Sequence, residues 1–309
     1  MDPGVTIQPQ STMLTKVQSL RGRSARRAFA ALLAGGLLWS AGAKAHDEPS
    51  NQIAVLTWQI AAEPGNAVLY LRRGELHRLD SEFPAAFADY SAARRLDPGL
   101  VIADLGEGRA LLDANRPGEA RQLLERYVRA RGNDPEGRLE LARAFVRIHE
   151  TKAADAEYAR AIAVAPEPRP DVYFERARFL QAVGRLPAAI RVLDDGIARL
   201  GPLASLEELA IELELARKNP NGGLARLDRI FPPGARQETR LVRRGEILAA
   251  AGRPAQARQA FLQAQRAIET LPPRLRQTRA VQKLEGRVRS SLENLRAARL
   301  EKEKTNAKS

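Results

Sequence analysis

The amino-acid sequence predicts an all-α protein, built as an α-solenoid of antiparallel helix pairs. Strong helix formers (Ala, Leu, Arg and Glu) dominate the chain. No strand-like alternation of β-branched residues lasts long enough to predict a sheet. Small residues recur about every 34 positions inside helix-like stretches, at Gly74, Gly108, Ala142, Ala177, Ala210 and Gly245. A fixed period of this length is typical of repeat architectures.

Composition narrows the possible functions before any element is placed. The chain has 309 residues, a net charge of +13, three histidines and no cysteine. Disulfides, Cys-based zinc sites, iron–sulfur clusters and thiol nucleophiles are therefore excluded. No phosphate-binding loop, metal-ligand motif or nucleophile–base set occurs in the sequence. We expect a non-catalytic protein with no cofactor, no metal and no small-molecule substrate.

Residues 1–45 have the layout of a cleaved signal peptide, with Met13 as the expected start. Five basic residues precede an apolar run of Ala, Leu and Gly. Ala43 and Ala45 then form the small-x-small pattern that signal peptidase accepts, so the mature chain is expected to begin at His46. This layout predicts export to the periplasm by the Sec or the twin-arginine route. The alternative is an uncleaved segment that anchors the protein in the inner membrane.

Residues 46–66 are expected to form one N-terminal helix and a linker. The helix covers 51–62 and ends before Glu63-Pro64-Gly65, because proline and glycine interrupt helices. We expect this helix to cover the first repeat.

Each repeated unit contains further regular features. A second small residue follows about twelve positions after the first, at Ala86, Ala120, Ala154, Ala189 and Ala257. A large residue comes four positions later, at Tyr90, Leu124, Tyr158, Leu193 and Phe261. Proline, which is tolerated in a first helical turn, stands where the second helix is expected to begin, at Pro84, Pro117, Pro187 and Pro254. These features predict two crossing helices in each unit.

The pattern resembles the tetratricopeptide repeat, a helix–turn–helix unit with small residues where its helices cross. Residues 67–100 match best, through Gly74, Ala86, Tyr90 and Pro98. The resemblance covers six units: 67–100, 101–134, 135–168, 170–202, 203–236 and 238–271. It implies a right-handed superhelix whose first helices line a concave, peptide-binding face.

The C-terminal part is expected to close the solenoid. Residues 272–300 predict a long basic capping helix with one apolar stripe, because an uncovered last repeat would aggregate. Residues 301–309 are expected to be a frayed tail. Residues 1–45 and 272–309 together carry +12 of the net charge. The stretch 46–271, with 33 basic and 32 acidic residues, is almost neutral.

The resemblance places two columns of side chains on the concave face. One column is apolar and contains Leu71, Leu105, Leu139 and Phe174. The other is basic and contains Arg109, Arg143 and Arg178, with Arg78 and Arg147 one turn away. Residues four apart share a helix face, and guanidinium groups bind carboxylates through two parallel hydrogen bonds. We therefore expect a periplasmic scaffold or adaptor that binds a protein or peptide segment with apolar and acidic side chains.

Three alternatives stay open from the sequence, and one of them is an enzyme or an enzyme subunit, for which the sequence offers no candidate residues. The same arginines could pair with glutamates of neighbouring helices and form an ordinary solvated surface. Alternatively, the basic C-terminal helix could bind anionic membrane or nucleic acid by electrostatic attraction. Nucleic acid is the less favoured partner, because that helix has no aromatic side chain on which bases could stack. Membrane contact is otherwise expected only during export.

Overall fold

A computed structural model describes residues 49–167, 169–231 and 236–306, and these residues form helices and connecting turns with no strand among them. The predicted α-solenoid of helix pairs is confirmed. The helices are α1 (Pro49–Ala62), α2 (Ala67–Leu79), α3 (Phe83–Leu96), α4 (Ile102–Asp113), α5 (Pro117–Ala130), α6 (Pro135–Arg147), α7 (Thr151–Val164), α8 (Pro170–Ala182), α9 (Leu186–Leu200), α10 (Ala204–Ala216), α11 (Pro220–Ile230), α12 (Gln237–Ala250), α13 (Pro254–Glu269), α14 (Pro273–Arg276) and α15 (Arg279–Asn306).

Consecutive helices pack as pairs from α2–α3 to α12–α13, and each pair also contacts the next one along the chain. Each of the six predicted repeats contains one pair, although α12 begins at Gln237, one residue before the predicted start. We call the two members of a pair its first helix and its second helix. Helix α1 packs against α2 at the N-terminal end, and α15 packs against α12 and α13 at the C-terminal end.

The turn inside each pair has the same backbone geometry. One residue per turn has a positive φ, at positions 81, 115, 149, 184, 218 and 252. In the third pair, the His149 amide donates to the Val146 carbonyl and the Glu150 amide donates to the Phe145 carbonyl. This Schellman pattern satisfies the last carbonyls of the first helix, and the same two bonds occur in all six turns. Two turns use glycine at the left-handed position, and four use another residue at some cost in strain.

Small residues allow the two helices of a pair to cross closely, as the repeat pattern predicts. A Cβ atom added at Gly108 would lie 2.7 Å from the Leu124 side chain, and one added at Gly245 would lie 2.6 Å from the Phe261 ring. Both of these large residues are buried. The small residue and the large residue sixteen positions later therefore form the packing contact of the pair.

Glycines also allow close contact between successive pairs. An added Cβ at Gly106 would lie 2.5 Å from the ring of Tyr90, which belongs to the preceding pair. At Gly137 it would lie 2.4 Å from the ring of Tyr127, again from the preceding pair. Gly106 therefore allows one repeat to pack closely on the preceding one. Packing contacts thus account for both glycines of Gly106-Glu107-Gly108, and a phosphate-binding loop is not needed to explain them.

A buried ionic cluster joins the fourth and fifth pairs. Arg226 is 6% exposed and donates to Asp194 at 2.7 Å and to Glu207 at 3.3 Å. Glu207 is fully buried and also accepts a 2.6 Å hydrogen bond from Arg229. A buried charge is tolerated only when it is paired and hydrogen-bonded, so these residues must stay together in the folded chain.

The C-terminal end differs from the predicted single helix over 272–300. The chain makes the short helix α14, and α15 then begins at Arg279, where Thr278 Oγ1 accepts from the Val281 amide at 3.4 Å as an N-cap and donates to the Leu275 carbonyl at 2.7 Å. Helix α15 continues to Asn306, well into the predicted frayed tail of 301–309. Leu292 and Leu295 pack against the C-terminal core, and an Arg299–Glu303 pair at 2.8 Å stabilises the last turns.

Candidate functional site

Charged side chains of neighbouring first helices pair along one face of the array, which we call the first-helix face. Arg78 of α2 lies 2.6 Å from Asp113 of α4, and Arg109 of α4 lies 3.0 Å from Glu140 of α6. The pattern continues with Arg143–Glu175, Arg178–Glu212 and Arg243–Glu208. The two partners are 31 to 35 residues apart in sequence, so each ion pair joins one repeat to the next. These five arginines therefore all have a carboxylate partner within the chain.

A cavity of about 640 Å³ opens on this face between α2 and α8. Its polar lining consists of four arginines, three carboxylates and one hydroxyl, from Arg78, Arg109, Arg143, Arg147, Asp113, Glu140, Glu175 and Tyr158. Leu112 and Val146 add apolar surface. Four cations against three anions leave the lining with a net charge of +1. Glu75 and Glu136, which are not part of the lining, also pair with Arg78 and Arg109, at 2.6 and 3.4 Å, so the position of each arginine decides whether its charge is available to a ligand.

The floor of the cavity is a rigid hydrogen-bonded group. Arg143 donates two parallel hydrogen bonds to Glu175, at 2.9 and 2.8 Å, and the Tyr158 hydroxyl donates to the same carboxylate at 2.7 Å. Burial on its own would raise the pKa of Glu175, but these hydrogen bonds outweigh it and the pKa is lowered. Burial and the nearby Glu175 charge raise the pKa of Tyr158, so its hydroxyl keeps its proton. Glu175 is therefore occupied and ionised at neutral pH.

Arg147 differs from the other cavity arginines. Its Nη1 donates to the main-chain carbonyl of Leu112, at the end of α4, and no carboxylate among the described residues pairs with it. The Arg147 side chain is exposed and lines the cavity. A guanidinium has five donor hydrogens, so most of its donors remain available to a ligand. The unneutralised charge of the cavity lies on this residue.

Comparison with solved structures identifies the architecture. The C-terminal part of a TPR repeat-containing protein from Cytophaga hutchinsonii matches with a TM-score of 0.57 at 13% identity, over 72% of this chain and 92% of that one. PilW, whose structure is described as that of a widely conserved type IV pilus biogenesis factor, matches with a TM-score of 0.51 at 18% identity, over 59% of this chain and 84% of that one.

The chain has the tetratricopeptide repeat fold. At these identities the likeness concerns the fold alone. No protein-family model matches the sequence, and no curated protein matches it.

Within the tetratricopeptide repeat array, the predicted apolar column does not form a ligand-facing surface. Leu105 is 3% exposed and Leu139 is 1% exposed, and both belong to the core between helices. Leu71 and Phe174 are half-buried and pack against core clusters. The physical reason for this correction is that the repeat position of these four residues faces neighbouring helices, so their side chains pack in or against the core.

The predicted basic column is brought together only in part. Arg78, Arg109, Arg143 and Arg147 line one cavity. Arg178 lies outside that lining: it stacks over the Phe174 ring at 5.3 Å and pairs with Glu212 of the next tetratricopeptide repeat at 3.1 Å. For Arg78, Arg109, Arg143 and Arg178, the structure favours the alternative in which arginines pair with acidic residues of neighbouring helices.

The sequence analysis names no acidic residue of the cavity. The carboxylates of Asp113, Glu140 and Glu175 each receive an arginine from another position of the array. A signal was present, because an acidic residue recurs 31 to 35 positions after each arginine of the column. A search for opposite charges at the repeat period would have found these pairs.

Two further findings bear on the expected location. Among the described residues, no helix is both long enough and apolar enough to cross a membrane. The predicted cleavage pattern at Ala43 and Ala45, and the whole segment 1–45, lie outside the described residues.

Proposed function

We propose that the protein is a non-catalytic scaffold that binds an extended protein segment at the first-helix face, with Arg147 as the main electrostatic contact. The observation that carries this proposal is the position of Arg147 in the cavity without a carboxylate partner among the described residues. An acidic side chain of the segment pairs with Arg147, and an adjacent apolar side chain contacts Val146. The other arginines hold the shape of the cavity.

The size of the cavity agrees with this mode of binding. A volume of about 640 Å³ lies in the range of pockets that enclose a small ligand. It therefore accommodates a few side chains of a segment and not a folded domain. The proposal includes no chemical step, because the sequence offers no nucleophile–base set.

Binding of labelled peptides tests the proposal directly. Peptides that alternate Glu and Leu are titrated against the full chain, beside the same peptides with Lys in place of Glu. We expect only the acidic series to bind, and Arg147→Gln to weaken binding by about tenfold or more, because a charge-assisted hydrogen bond is lost. Arg129→Gln is the matched control, since Arg129 is exposed on a second helix and has no carboxylate partner among the described residues. Equal binding by the parent and Arg147→Gln would overturn the proposal.

We further propose that the scaffold acts in the periplasm. This proposal is supported by the basic stretch, the apolar run and the small-x-small pattern at Ala43 and Ala45. Cell fractionation and N-terminal sequencing test it. We expect a periplasmic chain that begins at His46, and retention of the full-length chain in the membrane fraction when Ala45→Asp blocks cleavage. A full-length parent chain in the membrane fraction would instead support the inner-membrane anchor.

A further inference from the structure

The corner between α13 and α15 carries a concentration of unpaired positive charge. Residues 266–283 include five Lys or Arg and one acidic residue, Glu269. All five basic side chains are exposed, and none makes an ion pair or a side-chain hydrogen bond with any described residue. They are Arg266, Arg274, Arg276, Arg279 and Lys283. We call these five residues the basic corner.

The basic corner contrasts with the repeat array. On the first-helix face, Arg78, Arg109, Arg143 and Arg178 each have a carboxylate partner in a neighbouring repeat. At the corner the five basic side chains have no ion-pair partner among the described residues, and Glu269 is the single acidic residue of the segment, so the excess positive charge is repulsive. An external anionic surface would relieve that repulsion. This charge complementarity identifies an anionic surface as the partner of the basic corner.

An apolar side chain stands in the middle of this charge. Leu275 is 50% exposed and lies between Arg274 and Arg276 on α14. Its carbonyl accepts hydrogen bonds from the Thr278 amide and the Thr278 hydroxyl, so the backbone of the turn is already satisfied. Half of the Leu275 side chain is therefore exposed, at a turn whose carbonyl is already hydrogen-bonded.

A bilayer with anionic lipids offers both features that the corner requires. Lipid phosphates attract exposed Lys and Arg, and the acyl boundary takes up an apolar side chain between them. Single-stranded nucleic acid supplies the negative charge, but its binding proteins usually add aromatic stacking platforms. Residues 262–309 contain no Phe, Tyr or Trp.

We propose that the basic corner docks the protein on the surface of an anionic membrane, with Leu275 entering the interface and Arg274 and Arg276 contacting lipid phosphates. This surface is separate from the cavity, which is built from α2, α4, α6, α7 and α8. The scaffold would then hold its segment while resting on a lipid surface. An experiment that disproves membrane docking does not disprove segment binding in the cavity, and the reverse also holds.

A site-specific fluorophore tests the docking, because the natural chain has no cysteine. Leu275→Cys in the full chain is labelled with a polarity-sensitive dye and mixed with vesicles that contain phosphatidylglycerol. We expect the emission to shift to shorter wavelength and to brighten, with no change on pure phosphatidylcholine vesicles. The same dye at Val183→Cys, which is exposed at the turn after α8, should not respond. No response at 275, or an equal response at 183, would overturn the proposal.

Charge variants in the same labelled chain complete the test. Arg274→Gln with Arg276→Gln should weaken vesicle binding by about thirtyfold, since each basic residue near an anionic surface contributes roughly a fivefold factor. Arg129→Gln with Arg191→Gln removes the same charge from exposed residues that have no carboxylate partner among the described residues, and it should leave binding unchanged. Equal weakening by both pairs would mean that only net charge matters and would overturn the corner as a site. A dye response to duplex DNA without one to vesicles would overturn the membrane partner.

Discussion

Gly245→Ala should destabilise the chain although alanine is the better helix former. In the interior of α12 the change alone would raise the free energy of unfolding by about 1 kcal/mol. The new Cβ, however, would lie 2.6, 2.7 and 2.8 Å from three ring atoms of Phe261. That ring is 1% exposed and enclosed in the C-terminal core, so it has little room to move. Overpacking of this kind costs about 1–3 kcal/mol, so the net change is a loss of roughly 0–2 kcal/mol.

Gly286→Ala is the matched control for this prediction. Gly286 lies inside α15, and an added Cβ there would meet no atom within 4 Å. This variant should gain up to about 1 kcal/mol, so the two variants should differ by roughly 1–3 kcal/mol. Urea unfolding followed by far-UV circular dichroism measures the difference.

A second background separates the clash from other effects. Phe261→Leu removes the ring, so Gly245→Ala should cost less in that background than in the parent, which a double-mutant cycle reports as a coupling energy. The reasoning is refuted if Gly245→Ala is at least as stable as Gly286→Ala. It is also refuted if the cost of Gly245→Ala is the same with and without Phe261.

Three further predictions concern charge and backbone strain. Arg226→Met should lower the free energy of unfolding by about 1–3 kcal/mol in urea, because the fully buried Glu207 loses one of its two cationic partners and keeps only Arg229, and adding Glu207→Leu should restore part of the loss. Because the pKa of Glu175 is lowered in the folded chain, its stabilising contribution is present above the usual carboxyl pKa of about 4.3 and is lost as the pH falls. The Glu175→Gln variant should therefore lose less stability than the parent between about pH 7 and about pH 3. An equal loss of stability in the two proteins would contradict the lowered pKa of Glu175. Lys218, at a φ of 62°, should tolerate Lys218→Gly with a gain of about 0.5–1 kcal/mol in thermal unfolding, whereas Arg191→Gly in the interior of α9 should lose about 1 kcal/mol.

The helix pairs could be predicted from the sequence because each crossing point needs a small residue opposite a large one. Gly74 with Tyr90 and Gly245 with Phe261 are such contacts, and both lie within a single unit of about 34 residues. The information is local, so spacing alone reveals it. Contacts between units, such as Gly106 with Tyr90, depend on how one pair stacks on the next, and no short-range pattern encodes them.

The candidate site could be predicted less well for the same reason. Arg109 and Arg143 line one cavity, but their partners Glu140 and Glu175 come from the following repeat. Whether an exposed arginine is available or already paired is decided by the distance between repeats, which depends on the rise and twist of the stacked pairs. Arg147 was identified as a neighbour of the column, and only the structure distinguishes it from the paired arginines.

The identical turns within the six pairs limit how the first-helix face can change in length. One left-handed residue recurs every 34 or 35 positions. Removing residues 101–134 would therefore join two units and keep this spacing between their turns. A deletion within the helices that is not a whole number of repeats would put the following helices out of register with their neighbours. The cavity, which draws on four successive first helices for its arginines and carboxylates, can therefore grow or shrink only by a whole helix pair. Selection for a longer or shorter bound segment would act on the number of units, while point substitutions adjust the chemistry at each one.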